Sequence, residues 1–409
     1  MSAVFEFDDL PSISISNEEI TEATESGYSS ENDTTEARIK ALDEKLYEVS
    51  LNENYISSSV TSTTPSHSRK VCLEDFEILK LLGRGAYGKV MLCRHKATDK
   101  LYAMKVLKKA SLFVHTKNAE HTKAERQILE EVGHPFIVQL YYAFQTNERL
   151  YLILEYATGG ELFTHMAAEH MFTEDVARFY LAELLLALEH LHGLGIVYRD
   201  LKPENCLLDG EGHVVLTDFG LSKVSIEGSR TNTICGTTEY MAPEILMELH
   251  YDKSVDFWTF GILMYEMLTG YTPFRCGNKK KTLDAIMKKK LQIPYYISAD
   301  AKDLLIRLLR KNPNIRVGSG DGGIEKIKTH RFFRKVDWAS LKQRTVTPPI
   351  LPVVTDPSLA ENFDQEFTSE IIKESPIDTS ADIEAKMQDY FLNFSYVAQS
   401  HNLMKAFEE

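Results

Sequence analysis

The chain has 409 residues, of which 43% are hydrophobic and 26% charged, the proportions of a soluble globular protein. Its formal charge of −14 leaves no basic nucleic-acid footprint, and no apolar run reaches the roughly 18 residues a membrane span requires. Five scattered cysteines (Cys72, Cys93, Cys206, Cys235, Cys276) show neither CxxC spacing nor an even count, which argues against a disulfide framework or a zinc site. Together with an N-terminus that lacks a secretory signal, this predicts a cytosolic or nuclear protein without direct nucleic-acid or membrane partners.

The acidity sits at the ends. Residues 1–70 hold 14 acidic and 5 basic side chains, residues 334–409 hold 13 and 7, and the stretch between them is near neutral at +1. Residues 1–75 read as a disordered, acidic, Ser/Thr-rich tail that buries too little to offset its ordering entropy. From Phe76 the pattern changes. Phe76–Leu82, Lys89–Cys93 and Leu101–Leu107 are short apolar runs expected to form a strand meander. A charged helix over Ala119–Glu131 follows, then strand-like runs at Ile137–Phe144 and Leu150–Tyr156. Beyond Gly159-Gly160 the period turns helical. Thr173 is an N-cap with Glu174 and Asp175 behind it, and Val176, Phe179, Tyr180, Leu184 and Ala187 recur at three and four until Gly193. A mostly β lobe followed by a mostly α lobe is implied.

Between the first two strands lies Gly83-Arg84-Gly85-Ala86-Tyr87-Gly88-Lys89-Val90, a G-x-G-x-x-G-x-V loop whose glycines let backbone N–H groups close over phosphates. A dinucleotide fingerprint would need a helix directly after the loop, whereas a strand-like run follows, so that reading fails. Lys105, between apolar neighbours on its strand, is costly unless paired, and Glu125 is the candidate partner. The decisive stretch is Tyr198-Arg199-Asp200-Leu201-Lys202-Pro203-Glu204-Asn205, followed by Asp218-Phe219-Gly220. Phosphoryl transfer demands positioning and charge compensation more than covalent help. Asp200 can orient a hydroxyl and take its proton, Lys202 can neutralise the transferring group, and Asn205 and Asp218 supply the hard oxygens that Mg²⁺ requires.

These motifs make the chain resemble eukaryotic protein kinases over residues 76–333, which implies an α+β, bilobal fold using ATP and Mg²⁺. Thr237–Glu244 and Asp256–Gly261 match further family segments, with Glu244 expected to pair with Arg316 and Asp256 to brace the catalytic loop. Tyr198-Arg199-Asp200, the Thr233–Thr237 segment and a C-terminal extension over 334–409 are similar to AGC kinases. His121–Arg126, Tyr142–Thr146 and Phe391–Val397 are similar to the ribosomal protein S6 kinase group.

By that resemblance, Gly83, Arg84, Gly85, Ala86, Tyr87, Gly88, Val90 and Lys105 hold the nucleotide, as do the gatekeeper Leu154, the hinge residues Glu155 and Ala157, and the ribose contact Glu161. Catalysis falls to Asp200, Lys202, Lys105 and Glu125, and metal binding to Asn205 and Asp218. Glu161, Glu204 and Glu266 match positions that read basic residues ahead of the target serine. Thr233, Ser375 and Ser395 match regulatory phosphosites, so upstream activating kinases are expected as partners, beside protein substrates carrying basic motifs, for a monomeric Ser/Thr kinase. A pseudokinase would normally lack Lys105, Asp200 or Asp218. A small-molecule kinase would lack the platform that ends in Ala242-Pro243-Glu244. Phe391 and Phe394 are expected to enter a groove beside the 119–131 helix and Leu150.

Overall fold

A computed structural model describes residues 71–85, 88–113, 116–224, 237–249, 251–320, 322–371 and 390–398. Residues 1–70 of the acidic tail, with Ala86, Tyr87, Thr233 and Ser375, lie outside the described residues, whereas residues 71–75, expected to belong to that tail, are ordered against the first strand.

A 3-10 turn at Leu73–Asp75 leads into an antiparallel meander of β1 (Phe76–Gly85), β2 (Gly88–His95) and β3 (Leu101–Lys108). Helices α1 (Lys109–Phe113) and α2 (Thr116–Glu131) follow, then β4 (Leu140–Gln145) and β5 (Arg149–Leu154). The sheet order is β1-β2-β3-β5-β4, and its sixth member, β11 (Tyr396–Val397), comes from the C-terminal extension and pairs antiparallel with β4. The run expected as one strand from Ile137 divides. Val138 N–H donates to Leu216 O at 3.0 Å and Leu216 N–H to Phe136 O at 2.9 Å, so residues 136–138 pair with the second lobe before β4 begins.

The second lobe opens with β6 (Gly160–Glu161) and α3 (Leu162–Glu169), then α4 (Glu174–Gly193). Thr173 caps α4 by accepting from Val176 N–H at 3.4 Å, and Glu174 and Asp175 favour the positive helix end. Short strands β7 (Ile196–Val197), β8 (Cys206–Leu208), β9 (Val214–Leu216) and β10 (Lys223–Val224) frame the loops between them. Helix α5 (Pro243–Leu246) precedes α6 (Ser254–Thr269), which is apolar nearly all round and therefore lies at the centre of the lobe. It stops at Gly270, whose φ of 81° is the left-handed conformation that glycine adopts without cost. Helices α7 (Lys279–Lys288), α8 (Ala299–Leu308) and α9 (Gly323–Lys328) complete the lobe. The extension carries α10 (Trp338–Lys342) and α11 (Gln365–Thr368) before it reaches β11. The architecture is α+β, a small sheet lobe followed by a larger helical one, as the resemblance implied. Among the described residues, no helix is long and apolar enough to cross a membrane.

Candidate active site

The catalytic loop is held by one buried carboxylate. Asp256, fully buried on the first turn of α6, accepts from Tyr198 N–H at 2.9 Å, Arg199 N–H at 2.7 Å and His192 Nε2 at 2.7 Å. Three donors on one carboxylate explain how Arg199 is kept at φ 71°, a strained conformation for a residue with a Cβ. The loop is thereby presented as a rigid shelf. On it, Lys202 Nζ lies 2.8 Å from Asp200 Oδ2 and 3.2 Å from Thr237 Oγ1. Asn205 Nδ2 donates to Asp200 O at 2.8 Å and Oδ2 at 2.9 Å. Asp200 is therefore oriented by two donors. Burial pushes its carboxyl up, and the bonds from Lys202 and Asn205 pull the other way.

Lys105, on β3, faces this shelf from the sheet lobe. Its Nζ lies 2.6 Å from Glu125 Oε1 on α2 and 3.2 Å from Asp218 Oδ1. Burial alone would lower the lysine's pKa; the carboxylates of Asp218 and Glu125 outweigh it, and the net displacement is upward. The Lys105 ammonium in turn draws the Asp218 carboxyl below its usual range, while burial pushes Glu125 up. Phe219 is fully buried, edge-on to Tyr198 at 5.2 Å, and its N–H donates to the Glu125 carboxylate. Asp218 adopts φ 57°, a second strained residue in the same cleft.

The chemistry of the donor set fits Mg²⁺. The amide nitrogen of Asn205 is committed to Asp200, which leaves its carbonyl oxygen as a neutral hard donor. Thr217 N–H donates to Asn205 O at 2.9 Å, fixing the residue before Asp218 against Asn205. Among the described residues no group of three or more His, Cys, Asp or Glu side chains is arranged to hold a metal ion by itself. Mg²⁺ in general takes one or two protein ligands and shares phosphate oxygens.

The glycine loop divides into two kinds of position. A Cβ at Gly88 would lie 1.9 Å from Val106 O, so the sheet itself excludes any side chain there. Gly83 and Gly85 face open space, with no atom of the described residues within 4 Å of a Cβ placed there. Val90 sits opposite Lys105 in the β2–β3 register and Leu154 opposite Ala103 in β3–β5, which puts these residues on the strands that line the cleft. Glu155 N–H donates to Gln139 O at 2.9 Å and Ala157 is buried. Arg84 is exposed and bridges to Glu370 of the extension.

Glu161, Glu204 and Glu266 gather with Glu239. Burial raises the carboxyls of Glu161 and Glu266, and Glu204 repels both; Glu239 adds to the repulsion on Glu266, and Tyr240 donates its hydroxyl to Glu266. Glu244 and Arg316 form the expected pair, bidentate at 2.6 and 2.9 Å and fully buried. Phe391 and Phe394 are buried in one apolar cluster with Ala119 and Leu150. Gln145 ties this down, its Nε2 donating to Phe391 O at 2.7 Å while its Oε1 accepts from the buried Lys109 at 2.7 Å. Ser395 is exposed, and its carbonyl lies 3.4 Å from Arg126 Nη2.

Sequence reasoning missed Phe363. Its ring stacks 5.7 Å from Tyr156 of the hinge, and it packs against the cluster that includes Leu82, Val90 and Ala103 beside the cleft. Tyr156 OH donates to Pro357 O at 3.1 Å and Asn362 Nδ2 to Thr158 O at 3.1 Å, so the extension is stitched along the hinge. The available signal was a pair of phenylalanines, Phe363 and Phe367, four apart in an otherwise acidic run.

Comparison with known proteins agrees with this geometry. The family model described as protein kinase domain matches residues 76–333, and the one described as protein kinase C terminal domain matches residues 354–396. The chain is 47% identical over 378 residues to the ribosomal protein S6 kinase alpha-3 of Mus musculus, covering 90% of this chain and 50% of that one. It is 49% identical over 331 residues to the ribosomal protein S6 kinase beta of Caenorhabditis elegans, covering 80% and 60%. With the human ribosomal protein S6 kinase alpha-2 the identity is 51% over 329 residues, covering 80% and 44%. The chain therefore belongs to the protein kinase family, in its AGC branch and close to the ribosomal protein S6 kinases. It spans about half the length of the curated relatives it matches.

Proposed function

We propose that the chain transfers the γ-phosphate of ATP to serine or threonine hydroxyls of proteins. The observation that carries this reading is the meeting of Asp200, Lys202 and Asn205 on one shelf with Lys105, Glu125 and Asp218 from the opposite side. Asp200 accepts the hydroxyl proton, being held within reach and unable to swing because Lys202 and Asn205 both grip it. Lys202 sits where negative charge gathers in the transition state, and Lys105, fixed by Glu125, anchors the nucleotide's phosphates. Asn205 and Asp218 would hold Mg²⁺, which when bound would supply charge neutralisation to those phosphates.

The specificity reading rests on Glu161, Glu204 and Glu266. Burial and mutual repulsion make this carboxylate group a poor place for a further anion and a good one for an arginine or lysine near the target residue. Regulation follows the same logic. A phosphate on Ser395 would sit beside Arg126, one residue after Glu125 on α2, and so stiffen the helix that holds Lys105. Phosphates on Thr233 and Ser375, added by upstream kinases, complete the scheme for a monomeric enzyme of the cytosol or nucleus.

The test uses purified protein, Mg²⁺-ATP and a serine peptide with upstream arginines. Asp200→Asn lowers kcat about 10²–10⁴-fold while nucleotide binding persists, and chelation of divalent cations abolishes turnover. Undiminished turnover by Asp200→Asn would remove the assignment.

A further inference from the structure

The carboxylate group around Glu266 ends abruptly at a basic surface. Residues 275–290 carry seven cations (Arg275, Lys279, Lys280, Lys281, Lys288, Lys289, Lys290) against the single acid Asp284. All six lysines are exposed. The two fields meet at one contact, Arg275 Nε to Glu239 Oε1 at 3.7 Å.

This run is not an ordinary solvated helix face. Lys279, Lys280 and Lys281 occupy the first turn of α7, where the helix dipole disfavours positive charge, and no acid shares that turn. Helices α4, α6 and α8 all place acids there. Among the described residues the only ion pair along α7 is Lys288–Asp284 at 3.7 Å between exposed groups, too weak to account for six lysines. The buried face of α7 (Thr282, Ala285, Ile286) packs the helix against α5 and the Thr238–Tyr240 turn, the segment that ends the substrate platform. Immediately after Lys290 come Tyr295, 98% exposed, and Tyr296, 50% exposed, with ring centroids 5.8 Å apart.

We propose that the basic surface of α7 and the segment Lys288–Tyr296 dock an acidic stretch of the protein substrate, separate from the basic residues read by Glu161, Glu204 and Glu266. The inference rests on the kinase reading and adds a substrate class to it: bipolar substrates, with cations near the target hydroxyl and a carboxylate-rich segment elsewhere in the same chain. Charge complementarity selects the occupant, because the acidic and basic fields adjoin on the platform that receives the target. The exposed tyrosines offer apolar contact beside the lysines.

The experiment uses the full chain and three peptides. One is a core of arginines ahead of a serine; the other two are that core with six glutamates joined through a Gly/Ser linker on one side or the other. At least one acidic extension lowers KM about tenfold with kcat unchanged, and the advantage fades as salt rises. Replacing Lys279, Lys280 and Lys281 by Ala, or Lys288, Lys289 and Lys290 by Ala, reduces that advantage, and combining the two sets removes it. Turnover of the core peptide stays at the parental value throughout, which also shows that the variants are folded. Equal KM for all three peptides overturns the inference, as does an advantage that survives the combined variant. Capture of the chain by phosphatidylserine vesicles or single-stranded DNA through these lysines, with no KM difference, overturns it too. Failure to phosphorylate even the core peptide instead strikes the kinase reading.

Discussion

The catalytic loop and the C-terminal extension are both held against the same cleft, but by opposite means. The loop hangs on buried polar groups, with three donors on Asp256, and the buried Arg316–Glu244 fork ties α5 down nearby. The extension is pinned by two separate pairs of aromatic side chains (Phe363 with Phe367, Phe391 with Phe394) on a segment whose hydrogen bonds lie largely at the surface. A buried polar network fails as a unit, because each lost partner strands another group in a dry interior. Spaced apolar pins release one at a time. The loop is built as a fixture and the extension as a fastening that can be undone.

The largest test of this contrast is Asp256→Ala. It leaves Tyr198 N–H, Arg199 N–H and His192 Nε2 without their acceptor, and costs about 3–5 kcal/mol of global stability, read from denaturant midpoints. Peptide turnover falls with it, since Arg199 no longer has a reason to stay at positive φ. Next comes Phe391→Ala, worth about 3 kcal/mol by the usual cost of truncating a core phenylalanine. Here the loss appears as local opening, with faster hydrogen exchange at Tyr396 and Val397, reduced kcat, and a global unfolding midpoint that barely moves. Phe363→Ala should be milder, raising KM for ATP several-fold through about 1 kcal/mol of lost apolar contact beside the cleft while kcat for peptide holds. Smallest is Arg84→Ala: its bridge to Glu370 joins two exposed side chains, and stability stays within about 0.5 kcal/mol of the parent. A large effect there would mean that surface fastenings count for more than this comparison allows.

The fixture was legible in the sequence, and of the fastening only Phe391 and Phe394 were, for physical reasons. The strand meander and α4 announce themselves through apolar period and a Thr173 cap, and the loop through residue types that few other chemistries require at that spacing. Lys105, Glu125, Asp200, Asn205 and Asp218 were each found from the charge-pairing or metal-ligand role they could fill. Phe363 and β11 carry no period, because a strap takes its conformation from the surface it crosses and not from its own sequence. The pairing of residues 136–138 with Leu216 was hidden likewise: a continuous apolar run states that it is buried but not which strand it joins. The acidic and basic fields around Glu239 depend on how distant segments fold together, which composition cannot report.

The antiparallel pairing of Tyr396–Val397 with β4 has a consequence for handling the protein. An uncovered outer strand is a template for other chains, and β4 would be that strand whenever the tail lets go. Phe391→Ala preparations should therefore be more prone to self-association than the parent on concentration or warming. The same release would bare Ala143 and Tyr142 to any extended segment able to pair with them.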